Sequence, residues 1–409
     1  MRMHGSTKTM KTKTHRWTSA ALCALLAGCA ADARMDDALG VTPNALANRA
    51  YVVSLESEDL TVIDLEKLEV IGRVPTNGLV NHMAEISADF EKVYVVSSGT
   101  DEVVVVDARA LEVVGRIPVG RHPTHVSMSR DGRLLAVMDE DEGSGAISFI
   151  DTERDVEIKR VPGFFKPHYL RWSLDGRHAY VANINAHHLT RIDVKSLEIV
   201  DHIPLADFAG PPQVTEAPDE GGFADAQIGS DGVLYAAHAA TARVLVYDTL
   251  AERKLPEIRT GRSPWIVFAE HPFVELAQRY LGPNFGDETV SMIDGEQLSV
   301  VATLPGDREA YGVNYSSRAK NRAFVMNRSR EDIAVVDTER GAIMRHIDVG
   351  GTTETASTSA DGRLIVATVS SADRVVVIDA KTERIVETFE AIGSYPWSVT
   401  IPNGQNYCH

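Results

Sequence analysis

The chain has 409 residues, 44% of them hydrophobic, with 58 acidic against 41 basic side chains and a formal charge of −17. That composition supplies a sizeable apolar core, and its acidity excludes nucleic acid or an anionic lipid surface as the main partner. Three cysteines in such a length exclude a disulfide framework, so the fold must stand on packed secondary structure.

Residues 1–28 read as a secretory signal. Arg2, Lys8, Lys11, Lys13 and Arg16 precede a short apolar run, Ala20 to Ala27, with no acidic residue. The run is too short to span a bilayer as a helix. It ends Leu26-Ala27-Gly28-Cys29, which resembles the lipobox of bacterial lipoproteins. The resemblance implies lipidation of the Cys29 thiol and membrane anchoring of an otherwise soluble fold. Ala30, rather than aspartate, after the cysteine implies the outer membrane on the periplasmic side. Without the signal the balance is 36 basic against 58 acidic groups, or −22. Residues 29–48, rich in Ala, Asp and Asn, read as a lipidated flexible tether. Residues 49–409 then form one domain.

That domain repeats. An apolar pair followed by aspartate and a turn ends at Asp64, Asp107, Asp151, Asp193, Asp248, Asp294, Asp337 and Asp379, in steps of 43, 44, 42, 55, 46, 43 and 42 residues. A strand-bearing period of about 40–50 residues is the signature of a β-propeller. The unit is clearest at 355–397: four strands, with the turn Ser359-Ala360-Asp361-Gly362 between the first two. Units begin near 81, 124, 168, 211, 266, 311 and 355. Residues 50–80 supply strands two to four, and 397–402 a lone first strand. Together these predict an eighth blade that joins the two termini; seven blades is the alternative if 205–290 hides a misread unit. The stretches 208–224 and 271–285 break the rhythm and read as long loops.

The first strand of a blade lines the central channel. Counting five residues back from each turn serine, or from the aligned His271 and Pro402 where the serine is replaced, selects His82, Thr124, His168, Asp225, Ile266, Tyr311, Glu354 and Trp397. His122 and His125 lie beside this ring, and the loops between strands two and three add His187, His188 and His238. Neutral imidazoles bind transition metals and haem iron, carboxylates orient them or move protons, and Tyr311 and Trp397 suit a flat ligand. His82, His125, His168, Asp225, Tyr311, Glu354 and Trp397 are therefore the candidate cofactor-binding residues. His82 and His168 lead for a metal such as copper or zinc. At the terminus Cys408 and His409 form a second candidate metal pair. Lys166 and Arg308, near blade starts, are candidates for a carboxylate. No GxSxG, HExxH, P-loop or dinucleotide fingerprint occurs.

The repeat resembles the YVTN family of bacterial propellers. The segment Asn81-His82-Met83-Ala84-Glu85-Ile86-Ser87-Ala88 is similar to the part of cytochrome d1 propellers where a histidine ligates the haem iron. Ser263-Pro264-Trp265 through His271-Pro272 to Ile293-Asp294 resembles a further d1 blade. That resemblance implies a d1-type tetrapyrrole on His82. The far-side histidines of the nitrite reductases are replaced by Asp225 and Trp265, and no CxxCH occurs, so nitrite reduction is not expected. The stand-alone d1-like lipoproteins of d1-haem maturation are the better match. A cofactor-free scaffold for an envelope protein partner, and a small-molecule oxidoreductase using the same ring, stand as alternatives.

Overall fold

The computed structural model describes residues 43–141, 145–206, 221–269 and 278–406. The signal segment, Cys29, His271-Pro272 and the Cys408-His409 pair lie outside the described residues.

Eight antiparallel sheets follow one another around a ring, making an eight-bladed β-propeller. Blade one is typical, with strands Asn81–Ile86, Lys92–Ser97, Glu102–Asp107 and Glu112–Pro118. Its middle strands carry β-branched residues on both faces, and Val103 to Val106 are fully buried, because a neighbouring blade covers each face. One apolar cluster accordingly joins Tyr94, Val96, Val103 and Val105 of blade one to Val126, Leu135 and Val137 of blade two. The outer strand Glu112–Pro118 instead alternates exposed and half-buried residues along most of its length, as an edge facing water requires. Blade five departs from the pattern. Its sheet is Arg279–Asn284, Thr289–Asp294 and Ser299–Pro305. Among the described residues its inner segment is tied on by the bridges Pro264↔Asn284 and Phe268↔Leu281.

The termini close the ring. Strand Arg49–Ser54 takes Pro396–Thr400 as its inner neighbour, with Tyr51 opposite Thr400 and Val52 opposite Val399. Eight blades, not seven, is therefore the count. Past this strand, Gln405–Asn406 adds to the inner edge of blade seven opposite Ser357 and Thr358. Within the segment expected as a tether, a helix spans Pro43–Ala47, and Leu46 is 1% exposed. Burying that leucine anchors the chain before the first strand.

The eight repeat aspartates make turns. Asp107 Oδ1 accepts the N–H groups of Arg109 and Ala110, both at 2.8 Å. The same bonds recur at Asp64, Asp151 and Asp248. Four residues past each aspartate the backbone turns left-handed, at Leu68, Leu111, Asp155, Leu197, Glu252, Leu298, Gly341 and Glu383. Only one of these is glycine, so the carboxylate bonds hold the others against their conformational preference. Asp107→Ala should lower stability by about 1 kcal/mol through loss of two such bonds, read as a shift in the urea midpoint. An unchanged midpoint would deny the aspartates this role.

Candidate functional site

In blade one Asn81 pairs with Ser97 but Ala84 with Val95, so the register slips at His82–Met83. The same irregularity opens the inner strands of blades two, three, four, six and seven. A bulge of this kind re-aims the residue it carries. Here it collects one side chain per blade around one mouth of the channel: His82, Thr124, His168, Ala224, Trp265, Tyr311, Glu354 and Trp397.

Two sequence-predicted positions are corrected. Asp225 and Ile266 each stand one residue too late. In blade four Gly229, not Ser230, makes the turn: its N–H donates to Val233 O at 2.9 Å, as Ser129 N–H does to Leu134 O at 2.8 Å. Counting from Gly229 gives Ala224. Asp225 lies further along the channel, fully buried, and is already bonded by Arg171 at 2.7 Å, Gln227 at 2.5 Å and the Ala226 N–H at 2.6 Å. In blade five the Pro264↔Asn284 bridge puts Trp265 at the mouth, while Ile266 packs into the core at 0% exposure.

Ring contacts run around the mouth. Trp397 meets His82 at 5.4 Å between centroids, His82 meets His125 at 5.0 Å, and His125 meets His168 at 4.1 Å. His168 then meets Trp265 at 6.2 Å, and Trp265 meets Tyr311 at 6.3 Å.

One half of the mouth is imidazole. His125 Nδ1 lies 2.8 Å from Thr124 Oγ1 and 3.2 Å from Glu140 Oε1, and the Thr124 hydroxyl donates to Glu140 at 2.5 Å. His168 Nδ1 lies 2.8 Å from the Ala224 carbonyl, which accepts its proton and leaves the lone pair on Nε2. His125, Glu140 and His168 bring donor atoms within 4.8 Å of one another, all three residues buried. His82 is half-buried, and its Nδ1 has no exposed surface and no hydrogen-bond partner. Burial, then the neighbouring His125 charge, drive His82 down to about 3. The same two causes hold His168 well below the ordinary histidine value. Burial opposes ionisation of Glu140, but the His125 hydrogen bond and the charges of His168 and His125 outweigh it and hold the carboxyl at about 2. At neutral pH His82 and His168 are thus neutral imidazoles beside the Glu140 carboxylate, a donor set suited to zinc, copper or iron.

The other half is aromatic. Trp265 stacks on Phe285 at 5.5 Å and Phe285 on Tyr311 at 5.3 Å. Arg328 lies over the Tyr311 ring at 4.6 Å and pairs with Glu354 at 2.9 Å. Ser370 donates to the same carboxylate at 2.5 Å. The Trp265 Nε1–H is buried without a partner.

Other candidates fall elsewhere. His187 and His238 pair with each other, and His188 packs on His202. Lys166 lines a cleft with Glu140, and Arg308 is exposed. Phe285 and Arg328 carry no mark in the sequence pattern, while Trp265 stands where the d1 resemblance puts a blade start, one residue before the counted Ile266. Glu140, also outside the sequence-predicted set, sits in a loop between strands two and three, the kind of loop that also carries His187, so its position has a sequence signal. Below the mouth the channel opens into a cavity of about 300 Å³ lined by Met83, Glu85, Tyr169, Arg171, Gln227 and Asn406.

These shifts set a pH dependence for the empty protein. Burial first, in each case, brings His188 to about 4 and His238 to about 3, alongside His82 and His168. Below pH 6.5 the unfolded chain takes up protons that these folded histidines refuse, so acid removes stability. Glu85 and Asp139, pushed up to about 7 by burial, act in the opposite sense: their contribution is present at low pH and lost as pH rises through 7. Four histidines outweigh two carboxyls. The urea midpoint should therefore be lower at pH 5 than at pH 7, and an equal or higher midpoint at pH 5 would contradict these assignments.

Fold and site together define an eight-bladed propeller with a half-imidazole, half-aromatic channel mouth. No family model and no curated protein sequence matches the chain. Among solved structures it is similar to the dihydro-haem d1 dehydrogenase NirN in complex with DHE, at 17% identity and TM-score 0.71, over 89% of this chain and 76% of that one. It is also similar to AztD from Citrobacter koseri, at 14% identity and TM-score 0.62, over 86% of this chain and 96% of that one. Hydrazine synthase from Kuenenia stuttgartiensis follows at 16% identity and TM-score 0.55, over 83% of this chain and 94% of that one. At such identities the likeness shows the fold.

Proposed function

We propose that this protein binds a d1-type tetrapyrrole at the channel mouth, with His82 as the iron ligand, and carries or modifies that cofactor during its maturation. The observation that carries the reading is the His82 Nδ1: buried and without a hydrogen-bond partner, on a ring that burial keeps neutral. A buried unpaired polar atom costs about 1–3 kcal/mol, and an iron ligand bond removes that cost. The stacked Trp265, Phe285 and Tyr311 rings opposite suit a flat macrocycle. The likeness to a propeller solved with a d1-related ligand supports the same choice. Extraction of the purified protein should yield a chromophore with tetrapyrrole mass and one iron per chain. A colourless extract without iron or haem uptake would favour the cofactor-free scaffold instead.

The close donor atoms of His125, Glu140 and His168 favour a second reading, a bare divalent ion. Metal analysis separates the two: zinc or copper without a chromophore supports the ion.

The lipobox-like Leu26-Ala27-Gly28-Cys29 supports a lipid-anchored envelope protein facing the periplasm, on the outer membrane. Cys29→Ala should move the protein from the membrane to the soluble fraction on cell fractionation. Full retention on the membrane would remove Cys29 as the anchor.

A further inference from the structure

Blade three holds a second pair of histidines that the channel mouth does not use. Strands His188–Asp193 and Glu198–Pro204 are antiparallel neighbours, with His188 opposite Pro204 and Thr190 opposite His202. His188 and His202 are thus diagonal partners on one face of the sheet, and their rings meet edge to face at 4.5 Å. His188 is 4% exposed, and its Nε2 is buried without a hydrogen-bond partner. His202 Nδ1 lies 3.2 Å from Thr190 Oγ1, which also accepts a hydrogen bond from Asn183 Nδ2 at 3.2 Å. That contact holds the His202 ring from its Nδ1 side, as hydroxyl and carbonyl neighbours orient metal-binding histidines.

A structural pair would satisfy its buried nitrogens; this one leaves a nitrogen of its more buried ring unpaired. Burial holds both rings below the ordinary histidine value, so both lone pairs are available at neutral pH. The neighbouring Asp201 is bonded by Arg191 at 2.9 and 3.0 Å and leaves the pair as an all-nitrogen donor set. We infer that His188 and His202 form a cross-strand chelate for a divalent, imidazole-preferring cation of the zinc class. The site is independent of what the channel mouth binds.

The test is equilibrium dialysis of the full chain against Zn²⁺, repeated with Co²⁺ for its visible absorption. In a His82→Ala, His168→Ala background, which disables the mouth, one equivalent of metal should remain. Adding His188→Ala should remove it, together with the cobalt band. Adding His202→Gln instead should weaken it tenfold or more, and this partly exposed position reports even if His188→Ala fails to fold. An absence of metal in the mouth-disabled background overturns the site, as does one equivalent that survives both further substitutions. Haem uptake by His188→Ala alone should match the unmodified chain, so failure of this site and failure of the mouth reading are distinguishable.

Discussion

His82→Ala is expected to weaken haem binding by about 100-fold or more, or ~2.7 kcal/mol, without unfolding the protein. The first effect follows from loss of the iron ligand. The second follows from position. His82 sits at a register slip, half-buried, and its Nδ1 bonds to nothing in the empty protein. Removing an orphaned polar atom offsets the lost ring packing against Trp397 and His125, so the melting temperature of the variant without ligand should change little. Affinity is read from a haem titration and stability from a thermal melt. Unchanged affinity would remove His82 from the site; a collapsed melt would mean that the imidazole is structural.

Deleting residues 396–409 should lower the melting temperature by about 10 °C or more. The strand Pro396–Thr400 is the inner neighbour of Arg49–Ser54 and the covalent end of the ring. Its loss bares a sheet edge and uncovers Val52 and Ala50, which pack with Val399 and Ile401. Burying a side chain such as Val399 or Ile401 is worth about 1.5–3 kcal/mol, and the ladder bonds add to that. A truncated protein with an unchanged melt would show that the ring does not depend on its closure.

The architecture was largely legible because it repeats. Eight aspartates fixed the strand-three ends, and each does in the structure what a turn aspartate does. The closing blade was legible too, because its missing strand reappears at the other end of the chain. The site was legible only where the turn serine was present to count from. In blade four a glycine takes the place of that serine, and the count slid from Ala224 to Asp225. In blade five the aligned position is His271, outside the described residues, and the count gave Ile266 in place of Trp265. Glu140, Phe285 and Arg328 reach the mouth from segments outside the inner strands, so no count along those strands can find them. Their placement depends on how neighbouring blades pack.

The proposed function requires a histidine-ligated tetrapyrrole at the channel mouth. The most direct measurement is the visible spectrum of the purified protein during titration with haem. A Soret band that shifts and saturates at one haem per chain is the predicted result. A spectrum identical to free haem throughout the titration would contradict the account.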